Sequence, residues 1–410
     1  MRKLTFWLAT LLTFIVPWED SVPLPTLGSA ARLAGLALAA LWAVTVVVEG
    51  KFRKPHLFHA LVLLFFLWNF VSLFWSPESD ATLQRIKTYG QIFLLLLIYW
   101  DVYKSPRELL TGIQAYVFGC YVLVISTIYN YVQGNVAVVY EGRYSATGVN
   151  AVDMALILMM GLPAAMQLFF SEKKGLLLKI ANLAYIPLSI FAILLTGSRT
   201  SLIAAMPFGL YLVATRQIKP NTKLLVVSIL FISLLALLPF IPSNILSRLS
   251  TLGSSIEAGD IGGRVELWES AILEFSHHPF LGIGSGVLDS AIGSAAHNTF
   301  ISVLAETGII GFALFLLILV IVFFMAMNAP NGNASLWVSI LLTWVIGVLS
   351  LSWEFRKLTW LFLNFIVIEG SFTSDQIREQ VKSEIVRYTR RLIPVSLRGG
   401  ALPPKQSPPF

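Results

Sequence analysis

Residues 299–327 read TFISVLAETGIIGFALFLLILVIVFFMAM, an apolar run interrupted by one charged side chain, Glu306. About 20 apolar residues carry an α-helix across the hydrocarbon core of a bilayer, so a run of this length predicts a membrane-spanning helix. The same texture recurs outward in both directions, with short polar breaks between the runs. It predicts helices near 4–17, 30–48, 57–75, 85–100, 109–132, 149–170, 176–196, 200–215, 223–241, 299–327, 334–351 and 357–370. Only 12% of the 410 residues are charged and 56% are hydrophobic, whereas an ordinary soluble domain is roughly a quarter charged. A closed barrel is excluded, because barrel strands alternate weakly over about ten residues instead. The expected fold class is an all-α polytopic membrane protein of about 12 transmembrane helices, with a long, partly helical loop between helices 9 and 10. The expected organisation is 1–241 for helices 1–9, 242–298 for the loop, 299–370 for helices 10–12, and 371–410 for a basic tail.

The formal net charge of +7 would suit nucleic acid only on a basic face of a soluble domain, so no nucleic-acid partner is expected. The run Leu4–Pro17 follows Arg2 and Lys3 like a signal peptide but shows no small-residue cleavage site before Trp18-Glu19-Asp20, and is read as a retained helix. With a cytoplasmic N-terminus, the inner loops and tail hold 20 of the 29 cations, as the positive-inside rule requires. Arg32, Arg85, Lys87, Arg143, Arg199, Arg248, Arg264, Arg356 and Lys357 remain on or near the outer face, where topology gives them no reason. The single cysteine, Cys120, sits in an apolar run and cannot staple the outer loop.

Several of these residues sit in chemically suggestive places. The stretch Ile180–Thr215 is too long for one span and should fold back at Gly197-Ser198-Arg199-Thr200. Ser198 or Thr200 would cap the second limb, and Arg199 beside that helix start would favour an anion. An arginine snorkelling to lipid phosphates is the alternative. In the long loop, Val265, Trp268, Ile272 and Phe275 recur at helical spacing, predicting an amphipathic helix that opens at Gly262-Gly263-Arg264 and stops before Pro279. Arg264 at its start is a second phosphate candidate, or else a solvated junction residue. His297, in Ala295-Ala296-His297-Asn298, precedes an apolar span and can act as acid or base near neutral pH.

His277 and His278 are adjacent and lack metal-ligand spacing. With no HExxH and no cysteine cluster, no metal or cofactor is expected. The stretch Leu281–Gly286 lacks a preceding strand or a lysine and is read as a flexible hinge rather than a nucleotide loop. Glu306 in a spanning run is a functional hypothesis by default, its alternative being the neutralisation of a buried arginine. Arg143, Arg85 and Lys87 at the start of the fourth helix would add positive charge to the same outer cavity, or act singly as interfacial anchors; Asp153 is less readable.

Thr196-Gly197-Ser198-Arg199-Thr200, Gly263-Arg264-Val265-Glu266-Leu267-Trp268, His278-Pro279-Phe280-Leu281-Gly282-Ile283-Gly284, and His297-Asn298-Thr299-Phe300 with Glu306-Thr307-Gly308 resemble the O-antigen ligase and polymerase superfamily, over about residues 196–311. The helix count and the single large outer loop are most similar to the O-antigen ligases. The resemblance implies a metal-independent, inverting glycosyltransferase of the bacterial inner membrane, multi-pass with both termini cytoplasmic and its site facing the periplasm. It would move O-antigen from undecaprenyl diphosphate to lipid A-core, completing lipopolysaccharide. The family's essential arginines and histidine match Arg199, Arg264 and His297. Arg143, Arg85 and Lys87 would add to the diphosphate site, with Glu306 and Asn298 in support.

An O-antigen polymerase, which usually has two sizeable outer loops, and a protein O-oligosaccharyltransferase, which usually has a soluble C-terminal part, are the alternatives within the superfamily. A transporter of lipid-linked sugars is the alternative outside it. Transporters often show internal repeats and midplane polar residues, whereas the polar candidates here cluster at one face.

Overall fold

The computed structural model describes residues 1–24, 28–137, 142–171, 175–215, 218–251, 253 and 264–372. The expected Gly262-Gly263 helix opening and nearly all of the 371–410 tail lie outside the described residues. Each of the twelve expected helices has a helical counterpart. In chain order these are α1 Arg2–Ile15, α2 Ala30–Glu49, α3 Leu57–Val71, α4 Ser79–Val102, α5 Pro106–Gln133, α6 Ala151–Phe170 and α7 Leu176–Leu195. They continue as α8 Arg199–Ala204, α9 Met206–Ala214, α10 Pro220–Leu237, α11 Ser243–Ser250, α12 Val265–His277, α13 Leu288–Ala291, α14 Thr299–Met327, α15 Ala334–Val348 and α16 357–372. Extended pairing among the described residues is confined to a short hairpin of Pro23–Leu24 with Gly28–Ser29 and an isolated bridge at Arg143.

Among the described residues, seven helices are long and apolar enough to cross a membrane. Their ends follow local chemistry. Ser29, Ser105 and Asn150 accept from backbone amides in the first turns of α2, α5 and α6, satisfying donors that a helix start leaves unpaired. Gly50 and Gly134 close α2 and α5 in the left-handed conformation. Several boundaries shift by a few residues, and two differences bear on the site. The predicted helix 200–215 is two pieces, α8 and α9, separated at Ala205 and followed by Pro207, which lacks the amide needed to continue the ladder. The fourth helix starts at Ser79, so Arg85 and Lys87 lie inside it rather than at its start.

The most hydrophobic-looking helices are not the most buried. Of its most apolar window α6 buries 78%, packed by α5, α7 and α15, whereas α10 buries 6% and presents the rest outward. A helix apolar all round is compatible with either place, because lipid is as apolar as a core.

The connections gather at two ends. At one, Arg2 pairs with Glu49 and, at 3.4 Å, with Asp101. Arg53 donates to Ser371 there, and Lys51, Lys54 and Lys104 lie in the same connections. At the other, Lys357 pairs with Glu19, Arg356 with Asp20 and Asp153, and Arg85 with Glu354. All the candidate residues from the sequence lie toward this second end.

Candidate active site

The site is built on a break in α14. Gly308 has φ 63° and ψ −171°, which no side-chain-bearing residue adopts readily, and the helical ladder opens there. The carbonyls of Ala305 and Glu306 instead accept from the amides of Ile283 and Gly284 at 3.0 and 3.1 Å, and Thr307 accepts from Trp68 Nε1 at 2.9 Å. In return, Ile309 N donates to Pro279 O at 2.9 Å. The polar groups orphaned by the break are thus taken up by the docked loop and by Trp68 of α3. Contact is close enough to demand glycine: a Cβ on Gly282 would fall 2.4 Å from Glu306, and one on Gly308 2.3 Å from the Phe280 carbonyl. Ser285, fully buried, donates to Asn69 Oδ1 at 2.6 Å. The stretch Leu281–Gly286 is therefore no hinge; its glycines allow backbone to lie against backbone.

Below this loop, Arg85 reaches Glu354 Oε1 at 3.0 Å and Glu306 Oε2 at 3.5 Å, with all three side chains largely buried. Burial and the nearby Glu306 raise the Glu354 carboxyl from its ordinary range, while Arg85 pulls it back down. Two carboxylates hold one guanidinium, so the charge of Arg85 is already compensated. Lys87, one turn-fragment further along α4, is exposed and makes no polar contact among the described residues. Arg85 thus has its charge met by Glu306 and Glu354, whereas Lys87 stands exposed.

The other arginines meet around the Thr196–Thr200 turn. Arg143, buried, donates through Nε to Thr196 O at 2.6 Å. Arg248 donates to Gly197 O at 3.0 Å, and its own carbonyl accepts from Arg199 Nε at 3.2 Å. Arg199 Nη2 also donates to Thr251 Oγ1 at 2.7 Å. Backbone carbonyls and a hydroxyl thus orient three guanidiniums about one turn. Ser198 is the first residue before α8, but its side chain makes no capping bond, and the Thr200 hydroxyl turns elsewhere. Any anion affinity at this turn rests on the guanidiniums, not on capping.

Thr200 turns to the connection between α15 and α16. Its hydroxyl lies 2.8 Å from Ser350 Oγ, and the Ser350 carbonyl accepts from Arg264 Nη1 at 2.8 Å. Arg264 directly precedes α12. That helix buries Ala271 and half-buries Trp268 and Phe275 against α14, while Ile272 is 50% exposed and stands off the expected apolar seam. Trp268 Nε1 donates to Ala296 O at 2.9 Å and so fixes the residue before His297. Next in chain, Asn298 caps α14 by accepting from Phe300 and Ile301. Thr299 donates to Leu351 O and accepts from Trp353 N, both at 2.8 Å. One short connection, 350–353, thereby ties together the segments bearing Arg199, Arg264 and His297.

His297 has φ 49° and is the one non-glycine residue with positive φ among those described. Such strain at a candidate site is an observation from which function can be argued. It is half-buried. Burial, then the charge of Arg264, hold its pKa below the ordinary imidazole value, with Asp153 and Asp289 pulling the other way. A neutral imidazole near pH 7 is a ready proton acceptor.

Sequence reasoning missed the hub. Ser350, Leu351 and Trp353 carry no charge, and Glu354 sits in a connection too short to attract notice. Asp153, which no sequence pattern explains, accepts from Trp353 Nε1 at 2.6 Å and pairs with Arg356 at 3.3 Å. Arg248 stood among the unexplained outer cations, and that surplus was its only signal.

Residues 184–316 match the family model described as O-Antigen ligase. This span contains Arg199, Arg248, Arg264, His297 and Glu306 and leaves out Arg85 and Arg143. The chain is also similar to Exopolysaccharide production protein ExoQ of Rhizobium meliloti (strain 1021), with 26% identity over 321 residues, covering 70% of this chain and 70% of that one.

Proposed function

We propose that this chain, which belongs to the O-antigen ligase and polymerase superfamily, is a membrane-embedded glycosyltransferase of the ligase type. It takes O-antigen from undecaprenyl diphosphate and delivers it to a hydroxyl of lipid A-core. Twelve helices span the inner membrane, the basic end faces the cytoplasm and the arginine-rich end faces the periplasm. The positive-inside bias supports this orientation.

The observation that carries the reading is the meeting of Arg264 and Thr200 on Ser350, with Thr299 on the adjoining backbone. Two guanidinium-bearing segments and a histidine-bearing segment converge at one end of the bundle. In the reaction, the acceptor oxygen bonds to the anomeric carbon from the face opposite the diphosphate. The bond from that carbon to the phosphate oxygen breaks, and the diphosphate keeps the electron pair. Arg199 and Arg264 stabilise the charge that develops there, and Arg143 adds positive charge at the same turn. His297 accepts the hydroxyl proton. Arg85, held by Glu306 and Glu354, is a structural cation in this scheme rather than a phosphate ligand, and Asn298 sets the helix start that presents His297.

A second reading has support from the similarity to an exopolysaccharide production protein: the acceptor is then another lipid-linked glycan and the product a longer polymer. Complementation of a ligase-null strain separates the two. Long-chain lipopolysaccharide bands support the ligase. Lengthened carrier-linked glycan, with no new glycan on the core, supports the polymerase.

A further inference from the structure

At the arginine-rich end, away from the site, α1, α2 and α4 border a narrow apolar groove with a cavity volume of about 80 Å³. Small residues make it. Ala31, Gly35 and Ala39 recur every four positions and so share one face of α2, opposite Ile92 and Leu95 of α4. A Cβ on Gly35 would meet nothing closer than Leu12 at 3.9 Å, so the space is real and unfilled by protein. The lip is apolar and outward-facing: Leu36 is 60% exposed and Leu94 38%. From Arg32 to Ala39 the groove descends about 10 Å, at 1.5 Å per helical residue.

Its mouth carries two cations, Arg32 and Lys357, and its lining contains no acidic residue. Lys357 shares its charge with Glu19. Arg32 is exposed and has no acidic partner among the described residues. A cation above an apolar furrow at the depth where a spanning helix begins matches a lipid with an anionic headgroup.

We propose that this groove seats one anionic glycerophospholipid, its phosphate on Arg32 and Lys357 and an acyl chain along Ala31, Gly35 and Ala39. Its assignment to the outer leaflet rests on the orientation proposed above. Lys357 follows Arg356, which pairs with Asp153; Asp153 in turn holds Trp353, whose backbone donates to Thr299. A lipid here therefore buttresses the polar chain that leads to the His297 segment, without touching the reacting atoms.

The test uses the full chain purified in detergent and stripped of lipid, with phosphatidylglycerol added and retention read by native mass spectrometry. Wild-type protein keeps one phosphatidylglycerol in preference to phosphatidylethanolamine. Arg32→Gln weakens retention about fivefold, the change expected from one cation facing an anionic lipid, and Arg32→Lys restores most of it. Gly35→Leu, which fills the groove, abolishes retention, whereas Val47→Leu, on the same helix but 81% exposed, leaves it intact. Equal retention by all variants, or no preference for the anionic lipid, overturns the proposal. Displacement of phosphatidylglycerol by equimolar undecaprenyl phosphate also overturns it, by giving the groove to the glycan carrier. Because retention is read without glycan transfer, its failure is distinct from failure of the proposed activity, which is measured separately on the same preparation.

Discussion

Thr200 and Ser350 stand 2.8 Å apart, hydroxyl to hydroxyl, although 150 residues separate them in the chain. That contact joins the Arg199 turn to the same residue whose carbonyl receives Arg264. If it sets the spacing of the two guanidiniums, Thr200→Val and Ser350→Ala should each slow transfer several-fold, since one such bond contributes about 0.5–1.5 kcal/mol. The double variant should be no worse than the poorer single one. A double-mutant cycle on transfer rate checks this, because independent losses would instead multiply.

The pH dependence of transfer follows from the setting of His297. A proton acceptor works in its neutral form, and burial and the Arg264 charge both hold the pKa of His297 below its ordinary value. Activity is therefore present at neutral pH and falls on acidification through a midpoint below about 6.5. Arg264→Gln removes a cation that disfavours imidazolium, so the acid limb of its residual activity moves to higher pH. Rate profiles of wild type and Arg264→Gln over the acid range measure the shift; a limb that moves downward contradicts the assignment.

His297 should also separate stability from function. Its left-handed backbone suits glycine better than histidine, so His297→Gly should fold and accumulate at least as well as wild type. Its transfer rate should nonetheless fall by about 10²–10⁴, the range for loss of a general base. Thermal unfolding and transfer, measured on one preparation, check both halves.

Gly308→Ala should fail for the opposite reason. A methyl group there would meet the Phe280 carbonyl at 2.3 Å in a backbone conformation that alanine disfavours. The segment 279–284 would lose its seat on α14, so the expected outcome is poor accumulation and cleavage in that loop under limited proteolysis. Ala305→Gly, one turn earlier, serves as a milder control on the same helix.

The helices were legible because a lipid solvent imposes long apolar runs, and the runs at 30–48, 149–170 and 299–327 met their helices within three residues. What one-dimensional reading misplaced has physical causes. The glycines of Leu281–Gly286 suggest freedom, yet Gly282 and Gly284 are there because other backbone lies against them. Arg85 and Glu306 lie far apart in the chain, so nothing in either neighbourhood reveals that they meet with Glu354. Arg199, Arg264 and His297 could be singled out by charge and position. The Ser350–Trp353 connection could not, because it acts mostly through backbone carbonyls and hydroxyls that carry no compositional signal.

The central claim is that Arg199, Arg264 and His297 serve one transfer reaction at one end of the bundle. Its most direct test is transfer of glycan from undecaprenyl diphosphate to purified lipid A-core by wild-type protein and by the Arg199→Ala, Arg264→Ala and His297→Ala variants, each confirmed as folded. The account predicts transfer by wild type, weakened donor binding in the two arginine variants, and retained donor binding without transfer in His297→Ala. Normal transfer by the His297→Ala protein would contradict it.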